Sequence, residues 1–475
     1  MATQVKNFSP ENFGVIHFCG IGGIGMSGIA EILHNLGCKV QGSDLSNNAN
    51  VVRLFNLGIK TFIGQKEENI GGISVVVRSS AVSDKNPEVV AARKKNIPVI
   101  ARADMLKEIM HLKNCVTIAG THGKTTTTSM VAQLFETAGL NPTVINGGIL
   151  NSCNTNAYLG SGDWLVAEAD ESDGSFNKLP AQVAIVTNID PEHMEFYGSF
   201  ANLRQAFKDF IEKVPFYGFA VLCYDHQEVK NLITGINDRK IISYGFSPEA
   251  QVCGKNLSIR ENGFIFDVDV KIPGQEQTIT DIFLPMFGKH NVSNALAAIA
   301  VAIGFKMEAD VIKGFLKDFM GVKRRLTVTG TIKDITVIDD YGHHPTEIKA
   351  SLQGVKEMHQ NSNKGNLIAV VQPHRYSRVY DLFAEFAHCF SDADKVFITD
   401  IYAAGEKEIS GINKESLISA VKETGHSKVY PVENLDELAG LLKEHVSSGD
   451  TIICLGAGDI TKYANELPDQ LKKIL

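Results

Sequence analysis

The chain predicts an α/β fold in three domains, and three observations carry that reading. Short apolar runs alternate with helix-period segments over 15–110, the pattern of a parallel sheet covered by helices. A second passage of strand, glycine turn and helix, Ala-Gly-Thr-His-Gly-Lys-Thr-Thr at 119–126, opens a new unit after Cys115. The alternation breaks over 251–286, where Gly, Pro and β-formers predominate, and resumes beyond Arg324. At 475 residues the chain exceeds one ordinary core, and about two to four domains are expected. The expected domains are 1–112, 113–323 and 324–475. The outer two read as Rossmann-like. The central one reads as P-loop ATPase-like, with a parallel sheet and an antiparallel portion.

In the first domain strands are expected at 15–19, 39–43, 59–63, 73–77 and 98–100, with helices near 24–36, 49–57, 86–95 and 102–112. The turn Gly20-Ile-Gly-Gly-Ile-Gly25 matches G-x-G-x-x-G between a strand and a helix, and Asp44 closes the next strand. Gly20, Gly22, Gly23 and Gly25 make a backbone cradle for a diphosphate, which NAD and a UDP-sugar both supply. A tight turn of purely structural use is the plainer alternative. Ser79 and Ser80 close another strand with two hydroxyls, suited to phosphate or to uracil edges.

The central domain opens on the more informative loop. An apolar run at 116–119 feeds Gly120, Thr121, His122 and Gly123, and a helix is expected from Lys124 to about Ala138. Backbone N–H groups of the loop and the helix N-terminus attract phosphate oxygens. Lys124 can reach β/γ-phosphates, and the hydroxyl of Thr125, followed by Thr126, can hold Mg²⁺. The usual spacing puts a Gly five residues before the Gly-Lys pair; Ile118 stands there, so this loop is shorter. A capping turn with an exposed Lys is the alternative, and the order strand, loop, Lys, Thr argues against it.

Further strands are expected at 164–167, 183–187 and 219–223. The first ends in four acids, Glu168, Asp170, Glu171 and Asp173, of which Glu168 and Asp170 share one face by period two. A carboxylate at a strand end beside a phosphate loop suits Mg²⁺, which takes oxygen ligands; a solvated acidic turn is the alternative. The second ends in Thr187-Asn-Ile-Asp-Pro-Glu-His193, where His193 is a ligand, a base or a turn residue. A helix over about 291–303 carries Asn291 and Asn294 one turn apart, for a base or ribose or for capping. Arg324 and Arg325 stand at a domain junction, where an Arg can stabilise a phosphoryl group or simply face solvent.

The third domain has expected strands at 335–338, 367–371, 395–399 and 451–455. Asp339-Asp-Tyr-Gly-His-His-Pro345 and Gln372-Pro-His-Arg-Tyr-Ser-Arg378 both follow strands, at the carboxyl edge where ligands bind. Two His and His-Arg-x-x-Arg suit a small anion, since Arg pairs bidentately with carboxylate.

Bulk properties narrow the classes. Net charge of −8 argues against broad nucleic-acid binding. No apolar run reaches the ~18 residues of a membrane span, and the first residues lack a signal-peptide apolar core. The eight Cys are scattered without a Cys-x-x-Cys pair, so buried free thiols in a reducing cytosol are expected. A cytoplasmic enzyme, monomer or homodimer, with small-molecule partners and neither nucleic acid nor membrane, is the expectation.

Together the glycine turn, the phosphate loop, the acidic strand end, the Thr187–His193 run and the two third-domain motifs resemble the Mur ligases across essentially the whole chain. The resemblance implies a UDP-sugar domain, an ATPase domain and an amino-acid domain. It implies that UDP-N-acetylmuramate, L-alanine and ATP give the amide, ADP and phosphate through an acyl phosphate. Gly20, Gly22, Gly23, Gly25, Asp44, Ser79, Ser80, His122 and Asn188 would hold the UDP-sugar. Gly120 to Thr126, with Asn291, Asn294, Arg325 and Asp340, would hold ATP. Thr125 and Glu168 would hold one Mg²⁺ (or Mn²⁺), and His193 a second ion or the substrate carboxylate. Lys124, His193 and Arg325 would be catalytic, and His344, Arg375 and Arg378 would bind alanine. Two departures stand out. Gln65 replaces a His common in the family, which touches one uridine contact. Phe207 stands where sister ligases carry a carbamylated Lys, so carbamylation is not expected.

Overall fold

The computed structural model describes residues 13–79, 81–149, 151, 155–260, 263–360 and 365–475. Three sheets organise them. The first contains β1 (Val15–Cys19), β2 (Lys39–Asp44), β3 (Lys60–Ile63), β4 (Val75–Arg78) and β5 (Val99–Ala101). All are parallel, in the order β3-β2-β1-β4-β5. The order reverses between β1 and β4, and the glycine turn and Ser79 follow those two strands. An open α/β sheet leaves its ligand crevice at that point.

The second sheet contains β6 (Asn114–Ala119), β7 (Thr143–Ile145), β8 (Ala157–Tyr158), β9 (Trp164–Glu168), β10 (Val183–Val186), β11 (Phe219–Cys223), β12 (Ile241–Gly245), β13 (Val252–Arg260), β14 (Gly263–Val270) and β15 (Gln277–Leu284). Its order is β15-β14-β13-β12-β11-β10-β6-β9-β7-β8. β6 lies between β9 and β10, parallel to both. Residues 251–286 supply the three strands at one end, where β13 and β14 are neighbours. Their connection is too short for a crossover, so they run antiparallel.

The third sheet contains β16 (Thr327–Ile332), β17 (Ile335–Asp340), β18 (Leu367–Val371), β19 (Lys395–Ile398), β20 (Val429–Pro431) and β21 (Thr451–Leu455), in the order β16-β17-β21-β18-β19-β20. β16 is antiparallel to β17 and the other pairs are parallel. Both faces are buried. Leu367, Ala369, Val371, Ile453 and Leu455 pack into one core, while Ile368, Val370, Ile452 and Cys454 pack into the other. That is the period of two read off a sheet covered by helices on each side, and it explains why these strands are continuous apolar runs.

The described residues form two compact units, one from those within 13–257, 266–284 and 293–320, the other from those within 258–265, 285–292 and 321–475. In the first, the only Trp of the chain, Trp164, packs edge-on against Phe135 and Phe305, with ring centroids 5.6 and 4.9 Å apart. The seven described Cys are buried free thiols; Cys153 lies outside the described residues. No helix among the described residues is long and apolar enough to cross a membrane.

Candidate functional site

The glycine turn is built by backbone hydrogen bonds. Gly20 adopts φ +85°, and the N–H groups of Gly20 and Ile21 both reach Ser43 O, at 2.8 and 2.9 Å. Gly22 N donates to Asp44 Oδ2 at 2.9 Å. A side chain at Gly22 would meet Asn48 Nδ2 at 2.4 Å, which explains why that position has none. Asp44 therefore braces the turn from the next strand. Gly23 caps the helix Ile24–Asn35, leaving the helix N-terminus and Gly25 behind the turn. Ser79 Oγ accepts from Ala81 N at 3.4 Å; Ser80 lies outside the described residues.

Beneath this turn is a buried polar network. Ser43 Oγ donates to Glu88 Oε2 at 2.6 Å, Asn69 Nδ2 to Glu88 Oε1 at 2.6 Å, and His17 Nε2 lies 3.3 Å from Glu88 Oε2. His17, Ser43 and Glu88 have no solvent exposure. Burial opposes ionisation of Glu88, and the donors from His17, Cys19, Ser43 and Asn69 outweigh it, holding its pKa down at about 2. Asn86 Nδ2 donates to Gln65 Oε1 at 2.6 Å, so the Gln that departs from the family pattern is anchored beside this network.

At the end of β6 the chain turns through Gly120 (φ +137°) and Gly123 (φ +79°) into the helix Lys124–Thr137, one residue short of the expected end. A Cβ on Gly120 would fall 2.0 Å from Thr187 Oγ1, and one on Gly123 2.6 Å from Asn294 Oδ1. Asn188 clamps the loop through both backbone polar groups of one residue: its Oδ1 accepts from His122 N at 2.7 Å and its Nδ2 donates to His122 O at 3.0 Å. The first N–H groups of the helix have no intrahelical acceptor, the arrangement that attracts anions at a helix N-terminus.

Lys124 Nζ donates to Gly120 O (2.6 Å), Thr121 O (2.9 Å) and Glu171 Oε1 (3.0 Å). An ammonium has three hydrogens, so this set uses them all. Burial pulls the Lys124 pKa down, but Glu171, Glu168 and Asp170 outweigh it and raise it, so the ammonium stays charged. Glu168, at the end of β9, accepts from Gly147 N at 2.8 Å. Asp170 instead turns to Arg102 Nη2 at 3.4 Å and Ser172 N at 3.0 Å. The strand ends before Asp170, so the two acids part company.

His193, at φ +58°, caps the short helix Met194–Tyr197. Its Nε2 lies 3.6 Å from Glu192 Oε2 and 4.0 Å from Glu171 Oε1. Glu171, Glu192 and His193 bring one ligand atom each to within 4.8 Å of one another. Neither Glu was singled out in sequence, although both lie inside the two acidic motifs. Asn291 is buried and donates from Nδ2 to Phe287 O at 2.7 Å. Asn294 Oδ1 accepts from Thr127 Oγ1 at 3.3 Å, on the phosphate-loop helix.

The second unit holds the remaining residues. Arg324 and Arg325 lie over the Tyr341 ring, 4.7 and 5.4 Å from its centroid. Asp340 is buried and accepts from Leu326 N, Gly342 N and Ser351 Oγ, at 2.8, 2.8 and 2.9 Å. Burial raises its pKa against the pull of Arg325 and those donors. Arg375, at φ +68°, lies with Nε 4.0 Å from Glu406, and Arg378 Nη1 is 3.5 Å from His374 Nδ1. His374 stacks on Tyr402 at 5.5 Å and meets His343 edge-on at 5.7 Å. Burial, with His343, Arg378 and Arg375 adding to it, lowers the His374 pKa to about 4. His344 takes another place: its Nδ1 accepts from Thr346 N at 3.2 Å, at the start of the helix Pro345–Gln360. The contacts around the two Arg thus involve His343, His374, Tyr402 and Glu406.

A diphosphate-type glycine turn, a lysine-bearing phosphate loop with acids at the neighbouring strand end, and an arginine-rich sheet edge define a nucleotide-dependent enzyme of several domains. The chain belongs to the Mur ligase family. The family's catalytic domain matches residues 15–114, its middle domain 118–302 and its glutamate ligase domain 324–458. A UDP-N-acetylmuramate–L-alanine ligase of Rhodospirillum centenum is 54% identical over 97% of this chain and 95% of its own length. One of Brucella anthropi is 54% identical over 97% and 98%. Among solved structures, a UDP-N-acetylmuramate–alanine ligase from Thermotoga maritima aligns with a TM-score of 0.82 at 30% identity, covering 97% of this chain and all of that one. A murein peptide ligase from Psychrobacter arcticus shares the fold, with a TM-score of 0.71 at 22% identity over 97% and 99% of the two chains.

Proposed function

We propose that the protein joins L-alanine to UDP-N-acetylmuramate at the expense of ATP, a step of peptidoglycan synthesis in the cytoplasm. The observation that carries this is identity of 54% over 97% of the chain with ligases of that name. It spans all three sheets, including the third, where amino-acid choice would be made. The proposed division of labour is 1–112 for the UDP-sugar, 113–323 for ATP and 324–475 for alanine, in a monomer or homodimer.

The roles follow from the contacts. The glycine turn, with Asp44 and Ser79, would receive the UDP-sugar. The phosphate loop, with Lys124 and Asn294, would hold ATP. Lys124 would neutralise the transferring phosphoryl group, exchanging Glu171 for phosphate oxygens. The ligand atoms proposed for the metal are carboxylate oxygens, the Thr125 hydroxyl and the His193 imidazole, an oxygen-rich set that fits Mg²⁺ or Mn²⁺. Thr125 and Glu168 would hold one ion, and His193 with Glu171 and Glu192 a second or the lactyl carboxylate. A divalent ion there supplies charge stabilisation for phosphoryl transfer. The lactyl carboxylate would attack the γ-phosphate, and the alanine amine would displace phosphate from the acyl phosphate. Arg375 and Arg378 suit the alanine carboxylate, and a neutral His374 beside them does not repel its amine.

The test is ADP release with UDP-N-acetylmuramate and each of L-alanine, glycine, L-serine and a tripeptide, with oxygen-18 in the muramate carboxylate. L-Alanine is expected to give the highest kcat/KM, with label appearing in phosphate. A preference for the tripeptide would overturn the substrate assignment, and label confined to the amide would overturn the acyl-phosphate route.

A further inference from the structure

We propose that His226 is a positioning residue of the phosphate loop, fixing Asp190 so that Asp190 in turn fixes the His122 ring. The proposal rests on the ATP-dependent reading above. β6, β10 and β11 are consecutive parallel neighbours in the second sheet, so their carboxyl ends lie side by side. The first end carries His122, the second Asp190 and the third His226. His226 Nε2 lies 3.3 Å from Asp190 Oδ1, and His122 Nε2 lies 3.4 Å from Asp190 Oδ2. One carboxylate is thus held between two imidazoles, one of them inside the phosphate loop.

The geometry restricts what the rings can do. A carboxylate accepts, so the His226 imidazole must present its N–H at Nε2. Asp190 is itself tied to the loop by the backbone, its N–H donating to Thr121 Oγ1 at 2.8 Å. With the backbone pinned there and Oδ1 engaged by His226, the carboxylate is held with Oδ2 at ion-pair distance from the His122 ring.

Plainer uses of His226 do not account for it. It precedes the helix Gln227–Gly235 as its cap, yet its side chain makes no capping hydrogen bond. Its Nδ1 is shielded from solvent and has no hydrogen-bond partner among the described residues. An apolar side chain would fill the place without leaving a polar atom unpaired. What an imidazole adds there is the Nε2 donor aimed at Asp190.

The test compares His226→Phe with His226→Gln, whose amide can present a donor near the same point. Each is made in the parent and in an Asp190→Ala background. His226→Phe is expected to lower kcat/KM for ATP about tenfold through loss of a charge-assisted contact. The KM for L-alanine and the melting temperature should hold. His226→Gln is expected to recover most of the loss, and neither change should matter once Asp190 is Ala. ADP titration calorimetry on the same variants makes the comparison without turnover, so it survives failure of the ligase reading. An ATP and ADP response of His226→Phe within about twofold of the parent overturns the proposal. So does an equal loss in the Asp190→Ala background, or a Gln variant as impaired as the Phe variant.

Discussion

Replacing Glu88 by Gln should destabilise the first sheet in a way that depends on pH and is transmitted to the glycine turn. Glu88 is fully buried, and its carboxylate is held by Ser43, Asn69 and His17. Its pKa falls from an ordinary 4.5 to about 2. At about 1.4 kcal/mol for each tenfold change in proton affinity, the ionised group contributes about 3 kcal/mol to the native state. The sign follows from the depressed value. The contribution is fully present above pH 4.5 and is lost as the pH falls through 2. The amide cannot ionise, so it lacks the contribution at neutral pH and has none to lose in acid. It also turns a donor toward His17 and Ser43, where an acceptor stood.

The assay is urea unfolding followed by far-UV circular dichroism at pH 7, 5, 4, 3 and ~2. Fluorescence would follow Trp164 in the second sheet, not this one. All other carboxylates are common to both proteins, so the difference between the two stability curves isolates Glu88. It should be about 3 kcal/mol at pH 7 and shrink toward zero in acid. Ser43 O accepts from both Gly20 and Ile21 N, so the KM for the UDP-sugar should rise while that for ATP holds. Parallel curves across the pH range would refute the reasoning, since the carboxylate would then contribute nothing by being charged.

Three further outcomes are expected at the proposed reaction centre. Lys124→Ala should reduce ligation by about 10²-fold or more through lost charge stabilisation, with the circular dichroism spectrum unchanged; turnover close to the parent's would remove the lysine from phosphoryl transfer. Glu168→Gln should shift the Mg²⁺ titration to higher metal; a curve that overlays the parent's would pass the ligand role to Glu171 or Glu192. Arg375→Ala should raise the L-alanine KM about tenfold, the worth of one charge-assisted carboxylate contact, leaving ATP and UDP-sugar KM values in place. Collapse of ATP binding instead would move Arg375 to the nucleotide site.

Strands buried on both faces were legible because both parities of their side chains are apolar. β18 and β21 show it, each feeding two cores at once. The strands not expected from sequence were β7, β8, β12, β16 and β20. β7, β8 and β20 are only two or three residues long. β16 is half-exposed and antiparallel at the sheet edge, where apolar patterning is not required. The glycine turns were legible for a different reason. A positive φ at Gly20 and Gly123, and a close approach at Gly22, leave no room for another residue, so the constraint is written at the position itself.

Side-chain pairing has no such local signature. Asp190 and His226 are 36 residues apart and meet only because β10 and β11 adjoin. Lys124 and Glu171 meet across β6 and β9 in the same way. Period two, which sorts Glu168 from Ala169, fails two residues beyond the strand, and Asp170 consequently turns toward Arg102. The adjacent pair His343 and His344 makes the same point more sharply. Both follow β17, and composition cannot rank them. The start of the next helix separates them: His344 Nδ1 accepts from Thr346 N, and His343 meets His374 edge-on. A motif such as Gly-His-His-Pro therefore locates a site to within a turn of chain. Where each imidazole stands is fixed by the hydrogen bonds that terminate one element and begin the next.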